Sequence, residues 1–235
     1  MLAKFIDNAR EDSLTAAVFS HLLHLPCEVF WQILSQACYT KSLPENPGEP
    51  QIIHPWPKWN PDGTETNNTY VEPDVFICFA SFDLIIEAKR GDNDMQDPKQ
   101  WKRELIAYTN EYGKDKREVR MLALGGIHSE KENDEKLPPF KSFDCTVHKC
   151  RWSTVLLECQ RLKIKYDEKN KTNPTSRASA DVRILDDLIA LFATHGFVVL
   201  RWFADFNFKL NLLDASADSD QQYFQNISLQ FQSLL

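Results

Sequence analysis

Apolar residues recur at helical spacing over residues 7–24, where Leu14, Ala17, Val18, His21 and Leu22 form the recurring set and Asp7 or Asn8 can cap the start. Pro26 interrupts, and residues 28–39 predict a second helix with Phe30, Trp31, Ile33, Leu34 and Ala37 as its apolar face. Residues 40–69 carry Pro44, Pro47, Pro50, Pro55, Pro57 and Pro61, which predicts a long loop holding one short strand near Gln51-Ile52-Ile53. Two β-rich runs follow at 70–79 and 82–89, and Ala80-Ser81 between them predicts a tight antiparallel hairpin. Asp97 as cap and Pro98 at the first helical position open a helix to about Tyr112, which Gly113 ends. Residues 118–124 predict a strand closed by Gly125-Gly126. After it come a charged surface loop at 129–136, a strand at 145–149 and a helix at 153–165. Residues 166–179 are polar and rich in breakers, the pattern of a flexible connection. Val182, Leu185, Leu188, Ile189 and Phe192 mark a last helix stopped by Gly196, and residues 197–203 read as a last strand. The succession of helix, hairpin strands, helix, strand and helix predicts an α/β or α+β chain built on a mixed sheet.

Composition narrows this picture. Of 235 residues, 43% are hydrophobic and 11% aromatic, enough for a packed core in one large domain or one domain with a modest appendage. No apolar run approaches the ~20 residues of a membrane span. The first residues, soon meeting Asp7, Arg10, Glu11 and Asp12, lack the features of a signal peptide, so the expectation is a cytoplasmic protein without a membrane partner. None of the six cysteines forms a CxxC pair, and free thiols are expected. Cys145, His148 and Cys150 bring three soft ligands close together, but a lone cluster of this kind reads as a strand before it reads as a zinc site. His21 and His24 likewise read as helix packing and surface.

The net charge of −7 argues against broad, non-specific duplex binding, which rests on many Lys and Arg contacts to phosphate. It does not exclude a local basic face, because local fields matter more than their sum. Between Lys149 and Lys171 stand seven Lys or Arg against three acids, which fits one nucleic-acid face and fits a solvated segment equally well. Trp56 and Trp59, in the Pro-rich loop, are the tryptophans best placed to touch a substrate.

The chemistry concentrates at the hairpin. In a strand, residues two apart share a face, so Glu87 and Lys89 project together with Asp83 and Ile85. A carboxylate and an ammonium ending an apolar strand are costly to bury unless they form a site or reach water. A turn at Ala80-Ser81 pairs positions whose numbers add to about 161, which sets Asp74 opposite Glu87. Two carboxylates side by side repel unless a cation or a proton intervenes. A divalent cation such as Mg²⁺, held by few protein carboxylates and by water, suits phosphodiester hydrolysis, with Lys89 orienting or deprotonating the attacking water.

Pro73-Asp74 followed by Glu87-Ala88-Lys89 resembles the PD-(D/E)xK, or restriction-endonuclease-like, superfamily. The resemblance covers roughly residues 1–125. It implies a mixed β-sheet flanked by helices in the order α-β-β-β-α-β. It implies metal ligands at Asp74, Glu87 and the Ala88 carbonyl, with Lys89 as the catalytic lysine. It adds Glu11 on the first helix (Asp12 as the alternative) to the metal site. Gln100, which shares a helical face with Glu104 and Tyr108, joins the catalytic set. Pro61-Asp62, Asp134-Glu135-Lys136 and Asp167-Glu168-Lys169 repeat fragments of the motif but lie in polar, breaker-rich stretches. The layout so implied is a nuclease-like core at 1–165 with a loop insert at 40–69, a connection at 166–179, and a helical and strand extension at 180–235 packed on the core. The implied activity is a Mg²⁺-dependent deoxyribonuclease, with Mn²⁺ able to substitute, of a bacterial restriction or anti-phage system. DNA is its expected partner, together with a second copy of the chain or another protein of a defence complex. The alternative is a catalytically inactive subunit of the same fold that binds nucleic acid or serves assembly.

Overall fold

The computed structural model describes residues 11–65, 68–129, 132–141, 143–172 and 176–198. Its centre is two strands without an exposed position, β2 (Val75–Phe79) and β3 (Asp83–Ala88), the expected hairpin. Near-continuous Val, Ile and Phe make such strands stable only when both faces are covered. β1 (Pro50–Pro55) adds to β2 as an antiparallel edge strand. β4 (Val119–Leu124) runs parallel to β3, and β6 (Cys145–Cys150) parallel to β4. A short β5 (Glu135–Lys136) closes the far edge, giving a six-stranded mixed sheet in the order β1-β2-β3-β4-β6-β5.

Helices cover both faces, as a mixed α+β architecture requires. On one face α1 (Glu11–Leu22), α2 (Cys27–Ala37), α4 (Trp152–Thr172) and α5 (Ser176–Thr194) share a core with Ile77, Leu84, Ile86 and Leu122. On the other face lies α3 (Pro98–Tyr112), which forms the connection between parallel β3 and β4. Asp97 accepts from the Lys99 N–H at its start, with Pro98 next in line, the capping arrangement that the sequence predicts. Trp101, Leu105 and Tyr108 of α3 pack on Phe76, Ile85, Met121 and Val147.

A buried polar anchor fixes how far α3 slides along β3. The Tyr108 hydroxyl donates to Asp83 Oδ2 at 2.7 Å, and Arg117 Nε donates to Asp83 Oδ1 at 2.9 Å. Four helical residues advance about 6 Å, close to the advance of two strand residues. With Tyr108 held at the start of β3, Glu104 is carried partway along the strand and Gln100 to its far end, where Glu87 and Lys89 lie.

Several boundaries depart from the sequence reading. The first helix ends at Leu22 (its expected start before Glu11 lies outside the described residues), and the β-rich run expected from Tyr70 enters the sheet only at Val75, with Val71 instead bridging to Trp59. Residues 166–172, expected as part of a flexible connection, continue α4, and 176–179 open α5. Their Lys, Glu and Asp content suits an exposed helix, and Lys163 pairs with Asp167 along it at 3.4 Å and with Asp186 of α5 at 3.0 Å. Residues 180–194 pack on the core as expected. Leu185, Leu188 and Phe192 are buried, and α5 packs on α1 and α4. Phe197 and Val198 carry no strand, and the rest of the strand expected at 197–203 lies outside the described residues.

Candidate functional site

The hairpin has the expected register. Val75 faces Ile86, Phe76 faces Ile85, Ile77 faces Leu84 and Cys78 faces Asp83, and one step beyond this ladder Asp74 stands opposite Glu87. Alternation sends Asp74, Phe76 and Cys78, with Ile85 and Glu87, to the α3 face. Both carboxylates are withdrawn from solvent, Asp74 at 8% and Glu87 at 2% exposure. Asp74 Oδ2 accepts the Ala88 N–H at 2.7 Å, which locks the acid to the strand that carries its partner. Ala88 itself turns its methyl into the opposite core, so only its peptide belongs to the site.

Lys89 follows β3 directly. Its Nζ donates to Glu87 Oε1 at 2.5 Å and to Gln100 Oε1 at 3.1 Å. Its backbone is held from both sides: the N–H donates to Leu124 O at 2.8 Å, and the carbonyl accepts Trp152 Nε1 at 2.6 Å. Gly125 and Gly126 lie against it at φ +70° and +64°. A Cβ on Gly125 would stand 2.8 Å from Lys89 O, and one on Gly126 would stand 2.9 Å from Lys89 Cγ. These glycines are required by close approach as well as by their left-handed backbone.

Gln96 braces the same corner. Its Nε2 donates to Glu87 O at 3.3 Å and to Gly125 O at 3.0 Å, while its Oε1 accepts Trp101 Nε1 at 2.9 Å. Nothing in the sequence pattern singled it out, since a polar residue before a helix cap is ordinary. Asp92 ties the loop after Lys89 to α4: its carboxylate accepts the Trp152 and Ser153 N–H groups at 2.7 and 3.1 Å.

Glu104 is the functional candidate that the sequence reading left aside, although it shares the helical face of Gln100. It is 0% exposed, and neither carboxyl oxygen makes a well-formed hydrogen bond, although the Glu87 carboxyl and the Gln100 side chain lie close enough to interact with it. Burial, first, and then the neighbouring Glu87 and Asp74 raise its pKa well above the carboxylate range, while Gln100 beside it acts weakly the other way. Glu104 also lines a cavity of about 260 Å³ with Tyr70, Glu72, Gln100 and Arg103. A larger cavity of about 820 Å³ between α2 and residues 41–49 lies away from these acids.

All these side chains offer oxygen donors, the class that suits a hard divalent cation, and the orphaned Glu104 carboxyl is a buried group in want of a cation or a proton. The donor chemistry thus fits the ion that the motif implies. Among the described residues, however, no group of three His, Cys, Asp or Glu side chains stands ready-made to hold a metal ion. The side chains of Glu11 and Asp12, expected to add a ligand, lie outside the described residues.

Other sequence candidates fall away from this corner. Cys145 points into the α3-side core and Cys150 into the opposite one, so the cysteine–histidine cluster does not converge. His21 Nδ1 bonds back to Ala17 O of its own helix at 2.8 Å. Trp59 is 2% exposed and packs on Phe76, Tyr108 and Tyr112, a core residue and not a substrate contact, because its loop folds back onto α3. Trp56 is half-buried. Asp134, in one of the motif repeats, is bound by Thr40, Ser42 and buried His148. Beyond Arg151, the basic stretch runs along α4, on the sheet face away from the acids, and there Arg161 and Lys163 are already in ion pairs.

No family model matches the chain. The chain is similar to an uncharacterized protein of Pasteurella multocida (strain Pm70), with 34% identity over 130 residues, 54% of this chain and 47% of that protein. It therefore spans about half the length of the curated relative it matches.

Proposed function

We propose that this chain is a metal-dependent nuclease with a restriction-endonuclease-like core, hydrolysing phosphodiester bonds of DNA at the end of β3. One observation carries the reading: Asp74, the residue before β2, falls opposite Glu87 of β3 one step beyond their ladder, with Lys89 Nζ 2.5 Å from Glu87 Oε1. The order of elements from α2 through β1, β2, β3 and α3 to β4 supports it, since this is the α-β-β-β-α-β order that the motif implies. Asp74, Glu87 and the Ala88 carbonyl would hold the cation, a Mg²⁺ or Mn²⁺ ion, with Glu11 from α1 as a further ligand. When bound, such an ion supplies charge stabilisation at the phosphoryl group. The chain's own residues do the rest. Lys89 Nζ, already a donor to Glu87 and Gln100, orients the attacking water or donates to a phosphate oxygen. Gln100 keeps the lysine over Glu87 instead of in solvent. Gln96, Trp152 and the paired glycines keep the backbone of residues 87–89 from yielding. A place in a restriction or anti-phage system, acting with a second copy or a partner protein, goes with this reading.

The test is cleavage of linear and supercoiled DNA, with RNA alongside, in Mg²⁺ or Mn²⁺. Asp74→Ala, Glu87→Ala and Lys89→Ala are each expected to lower the rate by at least about 10²-fold, with unchanged circular dichroism. Full activity in all three variants removes the assignment. The lack of a ready-made three-ligand group among the described residues favours a second reading, a non-catalytic subunit that binds nucleic acid or serves assembly. That reading predicts no cleavage of any substrate and no dependence of Mn²⁺ binding on Asp74 or Glu87.

A further inference from the structure

The cavity of about 260 Å³ has two walls. One is the chain at residues 68–72, which leads straight into Pro73 and Asp74. The other is the side of α3 that carries Gln100 and Arg103. Gln100 also accepts from Lys89 Nζ at 3.1 Å, so one side chain both lines the cavity and holds the lysine. Val71 fixes the first wall. It exchanges two backbone hydrogen bonds with Trp59, at 2.9 and 3.0 Å, and packs against the α3-side core. Alternation about this anchor turns Tyr70 and Glu72 away from that core. Tyr70 is accordingly 38% exposed, with Lys58 Nζ 4.5 Å from its ring centre. An aromatic ring in water, a cation over it and a polar cavity beside it are the parts of a stacking site for a nucleobase.

We propose that Tyr70 is the platform on which one base of single-stranded DNA stacks, with the adjoining phosphate drawn to Arg103, so that the Lys89 corner takes an unpaired strand and not a duplex. The proposal rests on the nuclease reading above and specifies its substrate. The cavity falls below the range of about 300–1,000 Å³ usual for small-molecule sites, which suits one nucleotide unit and not a base pair. Its charge points the same way. Lys58 and Arg103 stand against Glu72, a small cationic surplus on a chain of net charge −7, whereas a duplex is held through many phosphate contacts. Stacking needs no such surplus, since every base has a π face, and it is worth about 5- to 150-fold in affinity per base. Arg103 has only a surface pairing with Asp97 at 3.8 Å, which a phosphate can replace.

Fluorescence anisotropy of a labelled DNA strand of about a dozen nucleotides, alone and in its duplex, tests this on the full chain in EDTA, where no metal-dependent cleavage occurs. The single strand is expected to bind at least about tenfold tighter than the duplex. Tyr70→Ala is expected to weaken single-strand binding about tenfold with unchanged circular dichroism, whereas Tyr70→Phe, which keeps the ring, binds like the unmodified chain. Tyr70→Leu makes the same comparison should the alanine variant unfold. Arg103→Gln is expected to lower the salt dependence of single-strand binding by about one phosphate contact. A duplex bound as tightly as the strand, a Tyr70→Ala variant that binds like the unmodified chain, or no binding of either DNA overturns the proposal. The nuclease reading is judged apart from it, by cleavage in the Asp74, Glu87 and Lys89 variants: cleavage lost in all three beside DNA binding indifferent to Tyr70 sinks the stacking platform alone.

Discussion

Asp83 lies on the same face of β3 as Glu87 and is just as hidden from water, but it does opposite work. Its two oxygens are taken by the Tyr108 hydroxyl and by Arg117, so its charge is matched inside the fold and its task is to hold α3 in place. Burial, first, and then the bond to Asp83 push the Tyr108 hydroxyl far above the ordinary tyrosine range, so it stays a donor at every working pH. Tyr108→Phe leaves Asp83 with one partner fewer and is expected to cost about 1–2 kcal/mol, read as a lower midpoint in urea with an unchanged slope. An unchanged midpoint would mean that Arg117 alone satisfies Asp83. At this scale Asp74, Glu87 and Lys89 were legible because strand pairing is arithmetic: a short turn decides the partner of every residue, and alternation decides its face. The full burial of Glu104 was not legible. A helix places Gln100, Glu104 and Tyr108 on one face without saying whether that face meets water or a sheet, and a Glu on a helix is usually solvated.

Among the elements, α3 and α4 grip the site from opposite sides of the sheet. Gln96 and Gln100 approach from the α3 side, whereas Trp152 and the Asp92-capped start of α4 reach the same corner from the other. Asp92→Ala removes the cap of α4 and its 3.5 Å pairing with Arg151. The expected loss is about 1–2 kcal/mol of stability, measured by thermal melting, and, on the proposed nuclease reading, slower cleavage as well, because the loop after Lys89 loses its tether. Stability lost without any change in rate would show that the loop does not position the lysine. The α3 helix was readable from its Asp97-Pro98 start, since capping chemistry is local. The α4 helix was cut short at residue 165 because Asn, Lys and Asp in sequence look like a linker. What keeps residues 166–172 helical is long-range, Tyr166 against the core and Lys163 on α5. The two-residue β5 was invisible for a related reason: it exists only as a pairing to β6.

For the molecule as a whole, the sheet separates two cores, and the six cysteines are distributed between them as free thiols. Burial pushes Cys145 and Cys159 up to about 12, and Cys38 is raised by its contact with Cys150 and by its own burial. In the native state a charged disulfide reagent at pH 8 should therefore react quickly with half-buried Cys27 at most, and with all six once the chain is unfolded. Rapid native labelling of Cys145 or Cys159 would show that a core opens far more readily than its packing implies. No helix among the described residues is long and apolar enough to cross a membrane. The mixed α+β plan was legible from the alternation of element types. Which of the two cores α5 joins was not, because an amphipathic helix after a polar stretch carries no mark of the surface it covers.

Gly125 and Gly126 carry no chemistry, but an added methyl on either would collide with the main chain or the stem of Lys89. Positions of this corner that do not tolerate a single added carbon atom are therefore not ionisable ones. An inventory of damaging substitutions drawn up from acids and bases alone would overlook this pair, and a natural variant there could silence the protein with every charged side chain still present.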